Sequence, residues 1–478
     1  MRWPGLCSDS YVSQSPLASV CRTVNFYPEI IGGRGAKVDV ALYPTPGLAS
    51  YVAASEKPNR GIFHQNGLCF AVIGQTLYQV TELTPTTGTL TNRGTVATNN
   101  EPAYMTTNGD GGDELAISCG GQLYILDLTN LGGGLTNPTG TADFVVFLNG
   151  RFCVLDASAS ILKISNALDG SGGYSTLQSQ RDSATDPWKA LAVSKSGKEL
   201  WLMGEASGDV WFDAGAYPIP FEPRQGLLIE PGIEAPHSLA DLHGSMMWLT
   251  HDHVVRAIGY RPQHVSSEAL DHAITQYEKN SRIDDAVGQA YQHGGHYFYS
   301  LNFPSAGATW VYDESTNWWH ERGKYAGTSD TYLAWGPQYH AHAFAHHLTG
   351  DFRSGTIYRM ADDLYLDTDG DALRRLRIAP ALFNEHRRMY LDRLELYVET
   401  GLGVVTGQGS DPQVMLRTSK NSKTWSSERW ASAGKIGEFD RRVVWHQLGS
   451  GRDLVASFAM SDPVPWRIVD AYMDVRMG

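Results

Sequence analysis

The sequence lacks the marks of several common protein classes. Its five cysteines, Cys7, Cys21, Cys69, Cys119 and Cys153, are odd in number and widely spaced, which argues against a disulfide framework or a zinc site of close cysteine pairs. No apolar segment follows the first methionine, and no run approaches the ~20 apolar residues that span a bilayer. We therefore expect a soluble chain made in a reducing cytosol, without membrane insertion.

Charge is also scarce, and positive charge most of all. Only 19% of the 478 residues are charged, and 38 Lys and Arg against 51 Asp and Glu give a formal charge of -13. Tight nucleic-acid binding relies on basic side chains that displace counterions, so this balance argues against it. By contrast, 13 Trp, 23 Tyr and 15 Phe make the chain aromatic-rich, as large buried contact surfaces require.

The motifs of familiar catalytic sites are missing as well. The sequence has no Gly-x-Ser-x-Gly elbow, phosphate-binding loop or His-Glu-x-x-His helix. We therefore expect no enzymatic activity and no cofactor.

Short strands and tight turns dominate residues 59–363. Aromatic or β-branched runs alternate with Gly-centred turns, for example in 67–80, 114–128 and 144–156, and this pattern is typical of β-hairpins. Double hairpins of about 40 residues match the size of one β-propeller blade, so we predict about six or seven blades. A pair of β-sandwiches would show the same alternation and is the alternative. One helix is predicted near 266–277, capped by Ser267.

The regions on either side differ from this pattern. After residue 363 a run of arginines separates four strand-like alternations, which predicts a β-sandwich-like platform domain over 364–478. Residues 1–58 have no core pattern of their own, so we predict an extended segment that packs on the platform. The fold class is therefore all-β.

Two clusters have residue types that could bind a metal. On one strand, His340, His342 and His346 would share a face, although a zinc site also needs further ligands. Asp367, Asp369 and Asp371 offer oxygen ligands at alternate positions, but Gly370 and Ile378 do not fit the EF-hand spacing. We favour a histidine-rich surface and a solvated acidic loop over metal sites, so the expectation is no bound metal.

Residues 418–425 (TSKNSKTW) are similar to the Asp-box hairpin, whose pattern is Ser-x-Asp-x-Gly-x-Thr-Trp. Lys420 and Ser422 replace its Asp and Gly, while Thr418 and Trp425 keep the ends. This box is a structural hairpin even in sialidases, and it supplies none of the paired carboxylates that glycosidases need. It is weak support for a glycan-degrading or glycan-binding propeller.

Several stretches together resemble one family, the packaged-DNA-stabilising or tail-hub (nozzle) proteins of short-tailed bacteriophages. They are 11–29 (YVSQSPLASVCRTVNFYPE), 42–48 (LYPTPGL), 221–238 (FEPRQGLLIEPGIEAPHS), 309–323 (TWVYDESTNWWHERG) and 425–470. The match runs nearly end to end, although the 418–425 hairpin departs from the pattern.

The resemblance implies a structural virion protein of the phage tail. Such a protein assembles as a six-fold ring below the portal and adaptor, continues the DNA channel and retains the genome until DNA ejection. It would also hold a tail needle and offer docking sites for fibres or spikes.

In such a ring, acidic side chains could line the lumen, so that double-stranded DNA passes without tight binding. Five residues are candidates for ion pairs between subunits: Arg441, Arg442, Arg452, Glu438 and Asp440. The alternative functions are a lectin or tailspike-like hydrolase, and a Ca²⁺-dependent adhesion module built on the 362–371 loop.

Overall fold

The computed structural model describes residues 1–478 except 34, 110, 175–179, 183–185, 195, 197 and 218, and it leaves out the side chains of 180–182. Within this part of the chain, seven sets of four antiparallel strands form the blades of a propeller. The prediction of an all-β propeller is therefore confirmed, with seven blades among the described residues.

The blades are numbered I to VII in the order of their first strands. Blade I comprises Asn59–Gln65, Leu68–Ile73, Thr76–Thr84 and Thr87–Thr95. Blade II comprises Tyr104–Thr107, Glu114–Cys119, Gln122–Asp127 and Leu135–Thr136. Blade III comprises Phe144–Leu148, Arg151–Asp156, Ile161–Ile164 and Gln180–Asp182. Blade IV comprises Trp188–Ser194, Glu199–Gly204, Gly208–Asp213 and Phe221–Pro223.

The next three blades complete the ring. Blade V comprises Ala240–Leu242, Ser245–Leu249, Val254–Ile258 and Arg261–His264. Blade VI comprises Val287–His293, His296–Phe303, Ala308–Asp313 and Trp318–Ala326. Blade VII comprises Pro337–Ala343, His346–Asp351, Thr356–Ala361 and, from much earlier in the chain, Gly47–Ala53. The first strands of successive blades contact one another in a closed cycle from I to VII and back to I.

Tight turns between the first two strands recur around the ring. In blades I and III the turn residues Asn66-Gly67 and Asn149-Gly150 have positive φ, which matches the right-handed twist of the strands. Blade VII uses Phe344 and Ala345 at φ 53° and 58° instead. A helix, Glu268–Asn280, lies between blades V and VI, and Ser267 Oγ accepts the Leu270 N–H at its start, as predicted.

The remaining strands form a β-sandwich. One sheet contains Phe26–Ile30, Val40–Pro44, Ile468–Met477, Met389–Val398, Val443–His446 and Ser450–Gly451. The other contains Tyr11–Val12, Val20–Val24, Arg375–Ile378, Leu382–Phe383, Asp453–Met460, Gln413–Ser419 and Arg429–Ser432. Their facing sides meet in one core that includes Trp3, Leu394, Trp445, Phe458 and Trp466.

The second sandwich sheet is continuous with blade VI. Val20–Val24 pairs with Arg375–Ile378 on one side and lies parallel to Trp318–Ala326 of blade VI on the other. Propeller and sandwich therefore share a single twelve-stranded sheet, in which Thr331–Ala334 also pairs with Trp318–Ala326. The first 58 residues contribute strands both to the sandwich and to blade VII.

Candidate functional site

Residues 20–30 connect the propeller to the sandwich, and we call them the joint. Arg22 donates to both carboxylate oxygens of Glu321 in blade VI, with its Nη2 2.6 Å from Glu321 Oε2. Asn25 is buried and spans three segments, because its Nδ2 donates to Gly323 O and Arg374 O while its Oδ1 accepts the Gly323 N–H. The joint is therefore fixed by side chains as well as by the shared sheet.

A histidine with two carboxylate partners completes the joint. His296 of blade VI is buried, with Nδ1 2.9 Å from Asp313 Oδ2 and Nε2 2.9 Å from Glu29 Oε2. The hydrogen bond to Asp313, together with the one to Glu29, raises the pKa of His296 above its usual value. Through these two hydrogen bonds His296 ties the strand Phe26–Ile30 to blade VI.

The arrangement predicted for the metal-candidate histidines is wrong. The tight turn at Phe344 and Ala345 ends the strand at Ala343, so His346 lies on the next strand and not on the same face as His340 and His342. This turn contains no glycine, so no local pattern indicated it. His346 instead lies 3.7 Å from Glu82 of blade I.

Two other histidines join His340 and His342 between blades VI and VII. His347 Nδ1 lies 2.9 Å from His340 Nε2, and its ring contacts the rings of His293 and His342. His293 in turn bonds Asp362 at 2.9 Å. Burial, together with the neighbouring imidazoles, lowers the pKa of His340 to about 3 and that of His347 to about 4. The surroundings of His340 and His347 therefore favour the uncharged form of these two rings.

The acidic loop turns its carboxylates toward a lysine. Lys324 Nζ lies 3.0 Å from Asp369 Oδ2 and 2.8 Å from Asp371 Oδ2. Asp367 is buried, accepts the Thr368 N–H, and its pKa rises to about 6 because of desolvation. Over the residues that the structure describes, no three His, Cys, Asp or Glu side chains have an arrangement that could hold a metal ion.

The 418–425 hairpin forms with altered turn chemistry. Asn421 Oδ1 accepts the N–H groups of Lys423 and Thr424, one position after the expected aspartate. Ser422 adopts φ 59°, where the Asp-box has glycine, and Ser419 pairs with Trp425. Trp425 is half-buried in a groove that also contains Arg22 and Arg417. The side chain of Asn421 and the pairing of Ser419 with Trp425 therefore hold this turn together.

All five predicted interface residues lie on the sandwich surface. Glu438, Asp440, Arg441, Arg442 and Arg452 are exposed. Arg442 pairs with Glu395 of its own chain, with Nε 2.8 Å from Glu395 Oε1. The structure brings four of them together in the 438–442 segment, whereas Arg452 lies on a separate strand connection.

Two loops beside this segment expose large apolar side chains. We call residues 401–409 and 433–441 the apolar loop pair; they are joined by bonds from Gly401 N to Ala433 O and from Gly437 N to Gly401 O. Val405 is 78% exposed, Phe439 70% and Ile436 58%. Neighbouring exposed apolar side chains of this size mark contact surfaces. Sequence reasoning missed them, although the Val404-Val405 pair between glycines was the available signal.

The propeller has a cavity of about 1010 Å³ where its inner strands begin. Asn59, Val287 and Tyr339 of blades I, VI and VII line it. Its charged lining residues are evenly balanced between the two signs: Lys57, Lys189, Arg282, Arg353, Glu101, Glu234, Asp284 and Asp285. Such a lining has no strong potential of one sign with which to attract a phosphate chain.

No helix among the described residues is both long and apolar enough to cross a bilayer. A seven-bladed propeller that shares one sheet with a β-sandwich defines the class of this all-β protein. Family models give that class a name: the bacteriophage P22 Gp10 β-propeller model matches residues 24–365, and the Gp10 β-sandwich model matches 374–476. The chain belongs to the bacteriophage P22 Gp10 family, and it is a structural protein of the virion tail from a family that stabilises packaged DNA.

Other comparisons add little. No curated protein matches the sequence. Among solved structures, the N-terminal domain of Nup159 is 11% identical with a TM-score of 0.38, covering 67% of this chain and 95% of that one. An extracellular domain of a hybrid two-component system from B. thetaiotaomicron is 10% identical with a TM-score of 0.42, covering 86% and 57%. An exo-β-1,3-galactanase from Phanerochaete chrysosporium is 9% identical with a TM-score of 0.30, covering 90% and 99%.

Proposed function

We propose that this chain is a non-enzymatic tail hub whose copies assemble through the apolar loop pair into a six-fold ring below the portal and adaptor. The exposure of Val405, Ile436 and Phe439 carries this proposal, because a monomer gains nothing by presenting three such side chains on two hydrogen-bonded loops. Glu438 and Asp440 lie next to Arg441 and Arg442, so a neighbouring copy would meet both signs of charge.

Most of the free energy of this contact between subunits comes from burying its apolar side chains. Burying Phe439 alone contributes about 2 kcal/mol, whereas each exposed ion pair contributes at most ~1 kcal/mol. The apolar side chains therefore drive association, and Glu438, Asp440, Arg441 and Arg452 set the orientation of the subunits.

The mass of the purified chain, alone and after mixing with the portal–adaptor complex, tests this function. We expect a multiple of the monomer mass on the complex, and loss of assembly in Phe439→Asp. Leu228→Asp is the matched control, since Leu228 is 57% exposed but belongs to the propeller. Assembly of Phe439→Asp with wild-type affinity would contradict this interface.

We also propose three regions: 59–363 as the propeller domain, 364–478 as the platform, and 1–58 as an extended segment that packs on the platform and also supplies the strand Gly47–Ala53 to blade VII. The ring would continue the DNA channel, with part of the -13 charge of each copy facing the lumen. A tail needle, fibres or spikes would dock on its other faces. Mapping charge on an assembled ring tests the lumen, and a basic lining would contradict it.

Catalysis is not part of this proposal. Purified protein should release no reducing sugar from host polysaccharide. Turnover that disappears on changing one side chain would contradict the non-enzymatic role.

A further inference from the structure

The outer strand of blade I differs from the other outer strands. Thr87–Thr95 has nine residues, whereas the outer strands of blades II, IV and V, Leu135–Thr136, Phe221–Pro223 and Arg261–His264, have two to four. The outer strand of blade VI, Trp318–Ala326, is equally long, but it continues into the shared sheet. The outer strand of blade VII, Gly47–Ala53, is covered at its start, because the N–H groups of Gly47 and Leu48 donate to Leu364 O and Leu366 O.

The outer edge of Thr87–Thr95 has no such cover. In the described part of the chain, its ladder partner is Thr76–Thr84, and it ends its sheet. Proteins usually protect an exposed edge by keeping it short or by placing charges or proline on it, because unpaired N–H and C=O groups attract another strand. This edge is long and nearly neutral.

The side chains of this strand suit pairing. Thr87, Thr89 and Thr91 are exposed on one side, while Gly88 and Leu90 face the propeller. Arg93 is the one charged residue in the strand, and its guanidinium already donates to Gln79 Oε1 and Leu131 O. Threonines prefer β-branched or hydroxyl side chains across a ladder, so the fitting partner is an extended, uncharged segment of this kind.

Contacts with blade VII hold the hairpin in place before any partner binds. A Cβ on Gly88 would lie 2.5 Å from the Tyr51 ring, so only glycine allows this close approach. Leu90 packs with Tyr51 and Val80, and Glu82 lies 3.7 Å from His346. A pre-ordered edge loses little entropy when a strand is added.

From these observations we propose that Thr87–Thr95 is a docking edge onto which an extended, neutral segment of a different virion protein adds as a fifth strand of blade I. The choice of a different virion protein as the partner rests on the proposed function, in which copies of this chain contact one another through the apolar loop pair on the sandwich. The sandwich joins the propeller at blade VI, two blades away from blade I in the ring, so the rim of blade I is left for another component.

Hydrogen–deuterium exchange of the Thr87–Thr95 amides, in the purified chain and in purified virions, tests the proposal. The outward-facing amides should exchange at least ~100-fold more slowly in virions. Equal rates would overturn the docking edge. Protection in oligomers of the purified chain alone would assign the edge to a second copy and overturn the occupant. Absence of the chain from virions would overturn the proposed function, and this occupant with it.

Paired variants separate the edge from the fold. Thr89→Lys combined with Thr91→Lys places charge on the edge and should abolish the protection in virions while the chain is still incorporated. Thr84→Lys combined with Thr86→Lys adds the same charge at the hairpin tip and should keep the protection. Thr89→Val should also keep it, since valine preserves the strand. Full protection in the edge double variant, at an unchanged melting temperature, would refute the proposal.

Discussion

Arg377 should hold the first residues of the chain on the sandwich. Its guanidinium is fully buried and donates to Gly5 O, Ser8 O, Ser8 Oγ, Asp9 O and Thr23 Oγ1, at 2.8–3.2 Å for all but the shorter bond to Thr23. Five bonds at about 1 kcal/mol each, less the desolvation that a buried charge incurs, leave a net contribution of about 2–4 kcal/mol. Arg377→Leu should cost this amount.

The loss should be local before it is global. Hydrogen exchange of the amides between Gly5 and Val24 should accelerate by roughly 30- to 1,000-fold in Arg377→Leu, since 1.4 kcal/mol corresponds to a factor of ten. Blades I to IV should keep their exchange rates, because none of their strands contacts this segment through Arg377. Arg452→Leu, an exposed arginine of the same sandwich, is the control and should change neither region.

Exchange between Gly5 and Val24 that stays as slow in Arg377→Leu as in the wild type would refute this prediction. That result would mean that the ladder between Val20–Val24 and Arg375–Ile378 fixes the segment by itself. A uniform increase across all blades would instead show that the joint controls the stability of the whole chain.

Three further predictions use the same physical arguments. The pKa of His347 is lowered to about 4, so the neutral ring stabilises the fold above pH ~6.5, and this stability is lost as pH falls from ~6.5 toward 4. His347→Gln should therefore lose ~1 kcal/mol less stability than the wild type on acidification to pH ~4, as measured by melting temperatures across pH. Ser422→Gly should stabilise the sandwich by about 0.5–1 kcal/mol in denaturant unfolding, because its φ of 59° disfavours a side chain, and a loss would contradict that cause. EDTA should leave the melting temperature unchanged, whereas Lys324→Met should lower stability by ~1 kcal/mol by leaving Asp369 and Asp371 unpaired; an EDTA effect would restore the calcium interpretation.

The local part of the fold could be predicted from the sequence. Gly-centred turns between alternating apolar residues identify the hairpins, and Ser267 identifies the helix start, because these signals depend on residues close together in the chain. The strand Gly47–Ala53 could not be placed in blade VII, since its partner Thr356–Ala361 lies about 300 residues away and leaves no local pattern.

The site was harder to predict than the fold. The turn at Phe344 and Ala345 contains no glycine, so the prediction put His346 on the strand of His340 and not on the next one. His293, which contacts His347, comes from another blade. The charged candidates near 438–442 were found by residue type, but the exposed Phe439 among them was not, because exposure of an aromatic residue depends on tertiary structure.

The twelve-stranded sheet has a mechanical consequence. Because Val20–Val24 is hydrogen-bonded to both halves of the molecule, no flexible linker lies between blade VI and the sandwich at this point. A change of angle between the two halves would have to break the pairing of Val24 with Glu321 and the side-chain bonds of Arg22 and Asn25 at the same time. A tail component built this way should resist bending between its two halves.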